Sequence, residues 1–187
     1  MGIVPVQVYA KRVFIESDPI RADMYTILFA VVLLLGAAVT GIITDKAGRR
    51  VLIIVSSVLV FVSMTTLGFL LQTKVAPPLI TVLMIFMYSF TFMCGAGTIP
   101  YVLLAEVFIS EVQNLASMIA IELVWFNNFV IIGIFPYMNN AFGIYGSFYI
   151  FGIVGLCNAI FSYFFVPETK GLSNAQIQDA FTSRKKN

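Results

Sequence analysis

Charged residues divide this chain into long uncharged segments, each about as long as a membrane-spanning helix. A helix that crosses the hydrocarbon of a bilayer needs about 20 mostly apolar residues. Runs of that length recur between short clusters of Asp, Glu, Lys and Arg. The pattern therefore predicts transmembrane helices over residues 24–44, 51–73, 79–105, 115–137 and 147–166.

The two ends of the chain do not form full spans. Residues 1–15 are mostly apolar, but at about 1.5 Å per residue they cover only roughly half a bilayer. They are typical of the end of a helix whose beginning we expect to be missing. Pro167 stops the last helix, because its ring and its missing N–H do not fit a continuing helix. Residues 167–187 are predicted to form a polar tail in water.

Basic residues in the connectors are concentrated on one side of the predicted membrane. Three lie between Asp45 and Arg50, and four follow Pro167. The connectors on the other side contain only Arg21 and Lys74. Short cytoplasmic loops carry an excess of Lys and Arg, so the first connector and the C-terminal tail are predicted to be cytosolic.

Composition supports lipid as the solvent of this chain. Of its 187 residues, 60% are hydrophobic and 11% are charged, against roughly 25% charged in soluble domains. A mean hydropathy of +0.97 leaves too little polar surface to cover a soluble domain of this size. The net charge of +2 and the scattered basic clusters argue against a nucleic-acid partner. Cys94 and Cys157 lie in apolar runs, where a thiol acts as a small hydrophobe.

The residues that catalysis requires are not brought together in this sequence. The chain has no histidine, and it lacks a Gly-rich phosphate loop, a nucleophile elbow and paired metal ligands at helical spacing. Its carboxylates are spread over different spans and loops. We therefore expect no enzyme activity, no cofactor and no metal site.

Three short motifs lie inside or next to the predicted spans. Asp45–Arg50 reads D-K-A-G-R-R, and its glycine suits a tight turn between two helices. Gly95–Phe108 reads G-A-G-T-I-P-Y-V-L-L-A-E-V-F, so Gly and Pro interrupt an apolar span. Such breaks are tolerated at membrane depth only beside protein or a water-filled cavity. Pro167–Gly171 reads P-E-T-K-G and follows the last span.

These motifs, in this order, resemble those of the sugar porters of the major facilitator superfamily. The first is similar to the family's D-R-x-G-R-R loop, with Lys46 in place of the usual Arg. The second is similar to the G-x-G-x-x-P-W/Y run of the tenth helix, and the third to the P-E-T-K-G segment after the twelfth. The resemblance covers essentially the whole chain, which is in general similar to facilitated trehalose and hexose transporters of this superfamily.

The resemblance implies a fold class and a function. The fold is an all-α membrane protein equivalent to the C-terminal six-helix half of a major facilitator transporter. Residues 1–15 would be part of the seventh helix, and the five spans the eighth to the twelfth. The implied function is facilitated diffusion of a sugar by alternating access, with this chain a partial form of the transporter.

Two alternatives and several partners stay open. The chain could be a non-transporting interaction partner of a full-length transporter, or part of a proton-coupled sugar symporter. The expected partners are the lipid bilayer, a sugar substrate, and an N-terminal half or full-length transporter. The expected location is the plasma membrane.

A charge network at the cytosolic face is the first site that the resemblance implies. Glu106 is expected to pair with Arg49 or Arg50, which would hold the cytosolic side closed until the pair breaks. Ordinary surface charge is the alternative. The family's Arg a few residues beyond this Glu is replaced by Gln113. The candidate network consists of Asp45, Arg49, Arg50, Glu106 and Glu168.

Aromatic and amide side chains are the candidate sugar ligands. An indole face can stack on a sugar ring while N–H groups and amides bond its hydroxyls, and Trp125 holds the family's tryptophan position. Val4 replaces an asparagine of the family's seventh helix, so we expect an incomplete site. Ordinary helix packing is the alternative. The candidates are Tyr9, Gly97, Tyr101, Trp125 and Asn128.

Glu122 is a carboxylate inside the predicted span 115–137. A charged acid at the centre of a span costs about 2.5 to 3.5 kcal/mol on insertion scales, so the side chain should be neutral or face a cavity. It is a candidate proton site. We favour the alternative that it is a neutral, hydrogen-bonded interior acid.

Overall fold

A computed structural model describes residues 2–17, 19–73, 77–108 and 110–171 of the chain. Every regular element in these ranges is a helix. The α6 helix contains a bend, because the backbone at Gly143 leaves the helical conformation, with φ 71° and ψ 166°. We call residues 110–142 and 144–165 its first and second segments. The helices are α1 (Ile3–Ser17), α2 (Ala22–Ala47), α3 (Arg49–Thr73), α4 (Pro78–Met93), α5 (Ile99–Val107) and α6 (Ser110–Phe165).

Three of these helices are long and apolar enough to cross a membrane. They provide the stretches Ala22–Thr44, Arg49–Thr73 and Val112–Phe165. The last stretch has 54 residues, about 80 Å of helix at 1.5 Å per residue. That is more than twice the roughly 30 Å of hydrocarbon in a bilayer, so the bend at Gly143 divides it into two passes.

The helices differ from the predicted segments at two places. The predicted segment 79–105 is divided between α4 and α5, with a non-helical turn over residues 94–98 where the Gly and Pro motif begins. Residues 138–146, which separate the last two predicted spans, are helical on both sides of Gly143. One glycine at positive φ turns the chain there, so no longer loop is needed between the two segments.

The α3 helix packs closely against the second segment of α6, and small residues permit this approach. A Cβ added at Gly155 would lie 3.3 Å from the backbone nitrogen of Phe61 and 3.3 Å from the carbonyl oxygen of Ser57. On α3, a Cβ at Gly68 would lie 3.0 Å from the ring of Tyr149. Lipid chains are as apolar as leucine, so helix pairs in membranes gain stability from such close packing.

Aromatic side chains attach α1 to the rest of the bundle. Phe14 is fully buried and makes edge-to-face contacts with Tyr25 and Phe29 on α2 and with Phe86 on α4, at centroid distances of 6.0 to 6.3 Å. Edge-to-face pairs in this range contribute about 0.5 to 1.5 kcal/mol beyond area burial.

Many large apolar side chains point outward from the bundle. Leu34 on α2 and Phe129 on α6 are more than 70% exposed, and this pattern extends along most of the first segment of α6. A soluble domain would not leave contiguous apolar patches of this extent in water. The outer surface is suited to lipid and to other apolar helices.

We expect replacement of Gly155 by Leu to destabilise the bundle. The added side chain meets the α3 backbone, and overpacking of this kind costs about 1 to 3 kcal/mol. Thermal unfolding in detergent measures the effect. Gly133→Leu is the matched control on the same helix, because nothing lies within 4 Å of a Cβ at Gly133. Equal losses in the two variants would show that close packing at Gly155 is not the cause.

Candidate functional site

The connection between α2 and α3 contacts a carboxylate of the C-terminal motif. Gly48 has φ 88° and ψ 151°, a region that essentially only glycine occupies. A Cβ at this position would lie 2.5 Å from a carboxylate oxygen of Glu168. That carboxylate accepts the first backbone N–H of α3, at Arg49, at 2.9 Å. Glu168 therefore caps the N-terminus of α3, where a negative charge is favoured.

Arg49 joins this cap to α5. Its guanidinium donates to Glu106 Oε1 through Nε at 3.1 Å and through Nη2 at 2.8 Å. The Arg49 and Glu106 side chains are only 14% and 23% exposed. The other oxygen of Glu106 accepts the hydroxyl of Thr169 at 2.7 Å. One carboxylate thus links three segments that are far apart in the chain, and the two alternatives for its arginine partner resolve to Arg49.

The other predicted members of the network lie at its edge. Arg50 donates to the carbonyl oxygen of Tyr163 at 2.5 Å and stacks over the ring of that residue, 5.4 Å from its centroid. It therefore anchors α3 to the end of α6. Lys170 donates to the carbonyl oxygen of Lys46 at 2.6 Å. The side chain of Asp45 lies outside the described part of the structure.

Gln113 makes a contact of its own where the family usually has an arginine. Its amide donates to the carbonyl oxygen of Ala105 at 2.9 Å. Because the last carbonyls of a helix have no partner within it, this bond stabilises the C-terminal turn of α5. The substitution retains a link between α5 and α6 without adding a charge.

The break between α4 and α5 rearranges the backbone hydrogen bonds. The amides of Gly95 and Gly97 donate to the carbonyl oxygen of Phe92 at 3.4 and 2.8 Å. The Ala96 amide donates to the hydroxyl oxygen of Ser56 on α3, at 2.8 Å. Pro100 has no N–H to donate. Neighbouring helices and hydroxyl side chains commonly satisfy groups released in this way within membranes.

A cavity of about 650 Å³ lies beside this break. Its walls come from the start of α1, from α3, from the break and α5, and from both segments of α6. The lining is mostly apolar, and among the described residues its polar side chains are Asn128, Asn158 and Ser162. Mostly apolar clefts of this size with a few polar groups are typical of ligand sites.

Of the predicted sugar ligands, Asn128 lines the cavity. Gly97 lies in the turn beside it, where an added Cβ would meet the ring of Phe92 at 2.6 Å. Tyr9 packs on Phe135 instead, at a centroid distance of 4.9 Å. Tyr101 and Trp125 are 48% and 65% exposed and do not line the cavity. The structure therefore does not bring the five candidates into one pocket.

Glu122 lies on the exposed face of the first segment of α6. It does not line the cavity. Its neighbours Ile121 and Leu123 are exposed and apolar. The carboxylate therefore lies on the open flank of this bundle.

Sequence reasoning did not identify several polar residues that the structure places near the cavity and the break between α4 and α5. Asn158 on α6 donates to the hydroxyl of Ser57 on α3 at 2.8 Å. Ser56, next to it, bonds the broken turn. Their signal in the sequence was the presence of polar side chains within apolar spans, which are expensive to bury unless they have a partner.

Curated relatives match nearly all of this chain. The facilitated trehalose transporter Tret1 of Bombyx mori is 28% identical, over 97% of this chain and 37% of its own length. The mouse (Mus musculus) solute carrier family 2, facilitated glucose transporter member 6, is 27% identical, over 98% of this chain and 41% of its length. The chain thus spans about two fifths of these relatives.

Solved structures agree with the fold. The proton:xylose symporter XylE bound to 6-bromo-6-deoxy-D-glucose superposes with a TM-score of 0.87 at 29% identity, over 96% of this chain and 39% of that one. The inward-open xylose transporter XylE from E. coli gives a TM-score of 0.76 at 26% identity, over 96% of this chain and 42% of that one.

A family model provides the assignment. The model described as "Sugar (and other) transporter" matches residues 1–181. This is a family of transporters, which is not an enzyme class. With the fold and the apolar helices described above, the chain belongs to the sugar transporter family and is an integral, multi-pass membrane protein with the fold of half a major facilitator transporter.

Proposed function

We propose that this chain forms the C-terminal half of a sugar facilitator that works by alternating access. The observation that carries the proposal is the junction at Glu106, where the three family motifs meet through Arg49 and Thr169. Such a junction can hold one end of the transport path closed and release it by breaking a charge-assisted contact. No bond of the substrate needs to be made or broken.

The junction is proposed as the cytosolic gate in its closed state. The higher TM-score to the sugar-bound symporter structure than to the inward-open one supports this view. In the open state, Glu106 would separate from Arg49, and Glu168 would leave the N-terminus of α3. The C-terminal tail would then lie in the cytosol, as the distribution of basic residues predicts.

The sugar is proposed to bind between this bundle and a second six-helix half. Asn128 lines the cavity of this chain, and its amide can donate to and accept from sugar hydroxyls. The exposed aromatic side chains of Tyr101 and Trp125 would complete the site once the other half covers them. An N-terminal half or a full-length relative is therefore the proposed partner, and the plasma membrane is the proposed location.

The names of the relatives suggest trehalose, glucose or xylose as the sugars to test. Two of the relatives described above are called facilitated transporters, which favours facilitated diffusion. The solved symporter keeps proton coupling as the second candidate, with Glu122 as its proposed proton site. Because Glu122 does not line the cavity, we favour facilitated diffusion without proton coupling.

We expect Asn128→Ala to raise the KM for sugar uptake by about tenfold. Loss of one hydrogen-bonded partner for a buried hydroxyl costs on the order of 1 to 3 kcal/mol. Uptake of labelled trehalose, glucose and xylose is measured in proteoliposomes containing this chain, alone and together with the N-terminal half of a sugar porter.

The control for this experiment is Asn127→Ala. Asn127 is exposed and donates to the carbonyl oxygen of Leu123 on its own helix, so its loss should change the KM less than twofold. Equal effects of the two variants would exclude Asn128 as a sugar ligand. Absence of uptake in every combination, with co-purification of a full-length relative, would favour the non-transporting interaction partner.

We expect Glu106→Gln to open the gate and to destabilise the closed bundle. Hydrogen bonds to charged groups contribute about 1.5 to 3 kcal/mol, and Arg49 would lose its charged partner. The measurements are thermal unfolding and protease cleavage after Lys170 in inside-out vesicles, which should accelerate when the gate opens.

The matched control is Lys11→Met, which removes the ion pair with Asp23 at 2.9 Å. Those side chains are 58% and 83% exposed, and exposed ion pairs contribute about 0 to 1 kcal/mol. Cleavage after Lys170 should not change in this control. If Glu106→Gln left both readouts unchanged as well, the junction would not be a gate.

A further inference from the structure

We propose that Ser56 and Thr40 are positioning residues for the transport step. Their hydroxyl groups bond two of the backbone groups that the break between α4 and α5 releases. In this way they set the direction of α5, which carries Tyr101 and Glu106. We call the two hydroxyls the hydroxyl clamp. The role in transport rests on the proposed function, but the role at the break does not.

The first released group is the amide of Ala96. In an uninterrupted helix it would donate to the carbonyl oxygen of Phe92, four residues earlier. That oxygen accepts the Gly97 amide instead, at 2.8 Å. The hydroxyl oxygen of Ser56 accepts the Ala96 amide at 2.8 Å, and the same hydroxyl donates to Ile53 at 3.1 Å. One lone pair and the proton of the Ser56 hydroxyl are therefore used.

The second released group is the carbonyl oxygen of Met93. Its helical donor would be the Gly97 amide, which is engaged elsewhere. It accepts the hydroxyl of Thr40 on α2 at 2.8 Å and the hydroxyl of Thr98 at 2.9 Å. Thr40 also lies 2.8 Å from the carbonyl oxygen of Gly36. A hydroxyl has one proton, so Thr40 donates to one of these two acceptors at a time.

Two glycines permit the hydroxyl clamp to approach the break. A Cβ at Gly95 would lie 2.3 Å from Ser56 Oγ and 2.4 Å from the carbonyl oxygen of Leu52. A Cβ at Gly36 would lie 2.8 Å from the Cβ of Met93. All three separations are far below van der Waals contact. The glycines therefore serve to bring the α2 and α3 backbones and their hydroxyls up to the released groups.

The two hydroxyls have unequal roles. Ala96 has one acceptor, Ser56, whereas Met93 keeps Thr98 if Thr40 is lost. Ser56 is therefore the pivot at which α5 is held to α3, and Thr40 is a secondary contact. Because α5 carries Glu106 towards the junction with α3, a change of direction at the pivot moves one end of the gate.

Hydrogen exchange of the segment 94–98 tests the hydroxyl clamp directly. The full chain is reconstituted in lipid nanodiscs, and Ala96 lines the cavity beside the break. We expect Ser56→Ala to accelerate exchange of this segment about tenfold, the factor corresponding to loss of one hydrogen bond. Thr40→Val should accelerate it about two- to threefold.

Two matched variants separate a local role from general loss of packing. Ser57→Ala removes a neighbouring buried hydroxyl that is bonded to Asn158 on α6. Thr26→Val removes a hydroxyl of α2 that donates to Ala22 in its own helix. Neither should accelerate exchange at the break. Equal acceleration by Ser57→Ala and Ser56→Ala, or none in either variant of the hydroxyl clamp, would overturn the proposal.

Two further measurements keep the outcomes distinct. If Ser56→Ala does not fold, the comparison of Thr40→Val with Thr26→Val decides the proposal by the same readout. Sugar uptake is measured separately, with the chain reconstituted together with the N-terminal half of a sugar porter. There Ser56→Ala should lower the maximal rate by about fivefold with little change in KM. If the variants of the hydroxyl clamp accelerate exchange but the wild type shows no uptake, the transport function alone is refuted. If the wild type shows uptake but the variants of the hydroxyl clamp do not accelerate exchange, the hydroxyl clamp alone is refuted.

Discussion

Hydrocarbon offers no hydrogen-bond partner to a peptide group, and this constraint governs the whole bundle. Each N–H and C=O at membrane depth must find its partner inside the protein. Uninterrupted helices meet this requirement within one segment, as α2 and α3 do. Where α4 ends before α5 begins, Ser56 and Thr40 bond two of the released groups. The interrupted helix therefore depends on its neighbours for hydrogen bonding as well as for packing.

The same constraint explains where charge is found. Charged groups are concentrated where the helices reach the polar boundary, and there they cap and connect helices. Glu168 caps α3, and Glu106 joins α5 to Arg49 and to Thr169. These contacts are half-buried and charge-assisted, so they are stronger than exposed ion pairs. They connect the first, second and third motifs into one junction that can hold one end of the bundle closed.

The candidate site shows the limits of one six-helix bundle. Among the described residues, its cavity has three polar side chains in a mostly apolar wall, which is a small number of partners for a polyhydroxylated ligand. The aromatic candidates Tyr101 and Trp125 lie on open faces. A second half would cover those faces and would bring further hydrogen-bonding groups. Glu122 is also on an open flank, and its environment depends on what packs there.

The sequence by itself determined the class of the protein and the approximate positions of its helices. Long uncharged segments can be stable only in lipid, and the three motifs identified the family that the comparisons support. The pairing of Arg49, rather than Arg50, with Glu106 was decided by tertiary structure, because the rotation of α3 points one arginine to α5 and the other to Tyr163. Tertiary structure also decided the contact of Asn158 with Ser57 and the contacts of the hydroxyl clamp. It decided as well that the predicted sugar ligands lie apart from one another. Local pattern sets where a helix can form, but the identity of its neighbours depends on how close two backbones can approach, and that is set by packing across the whole bundle.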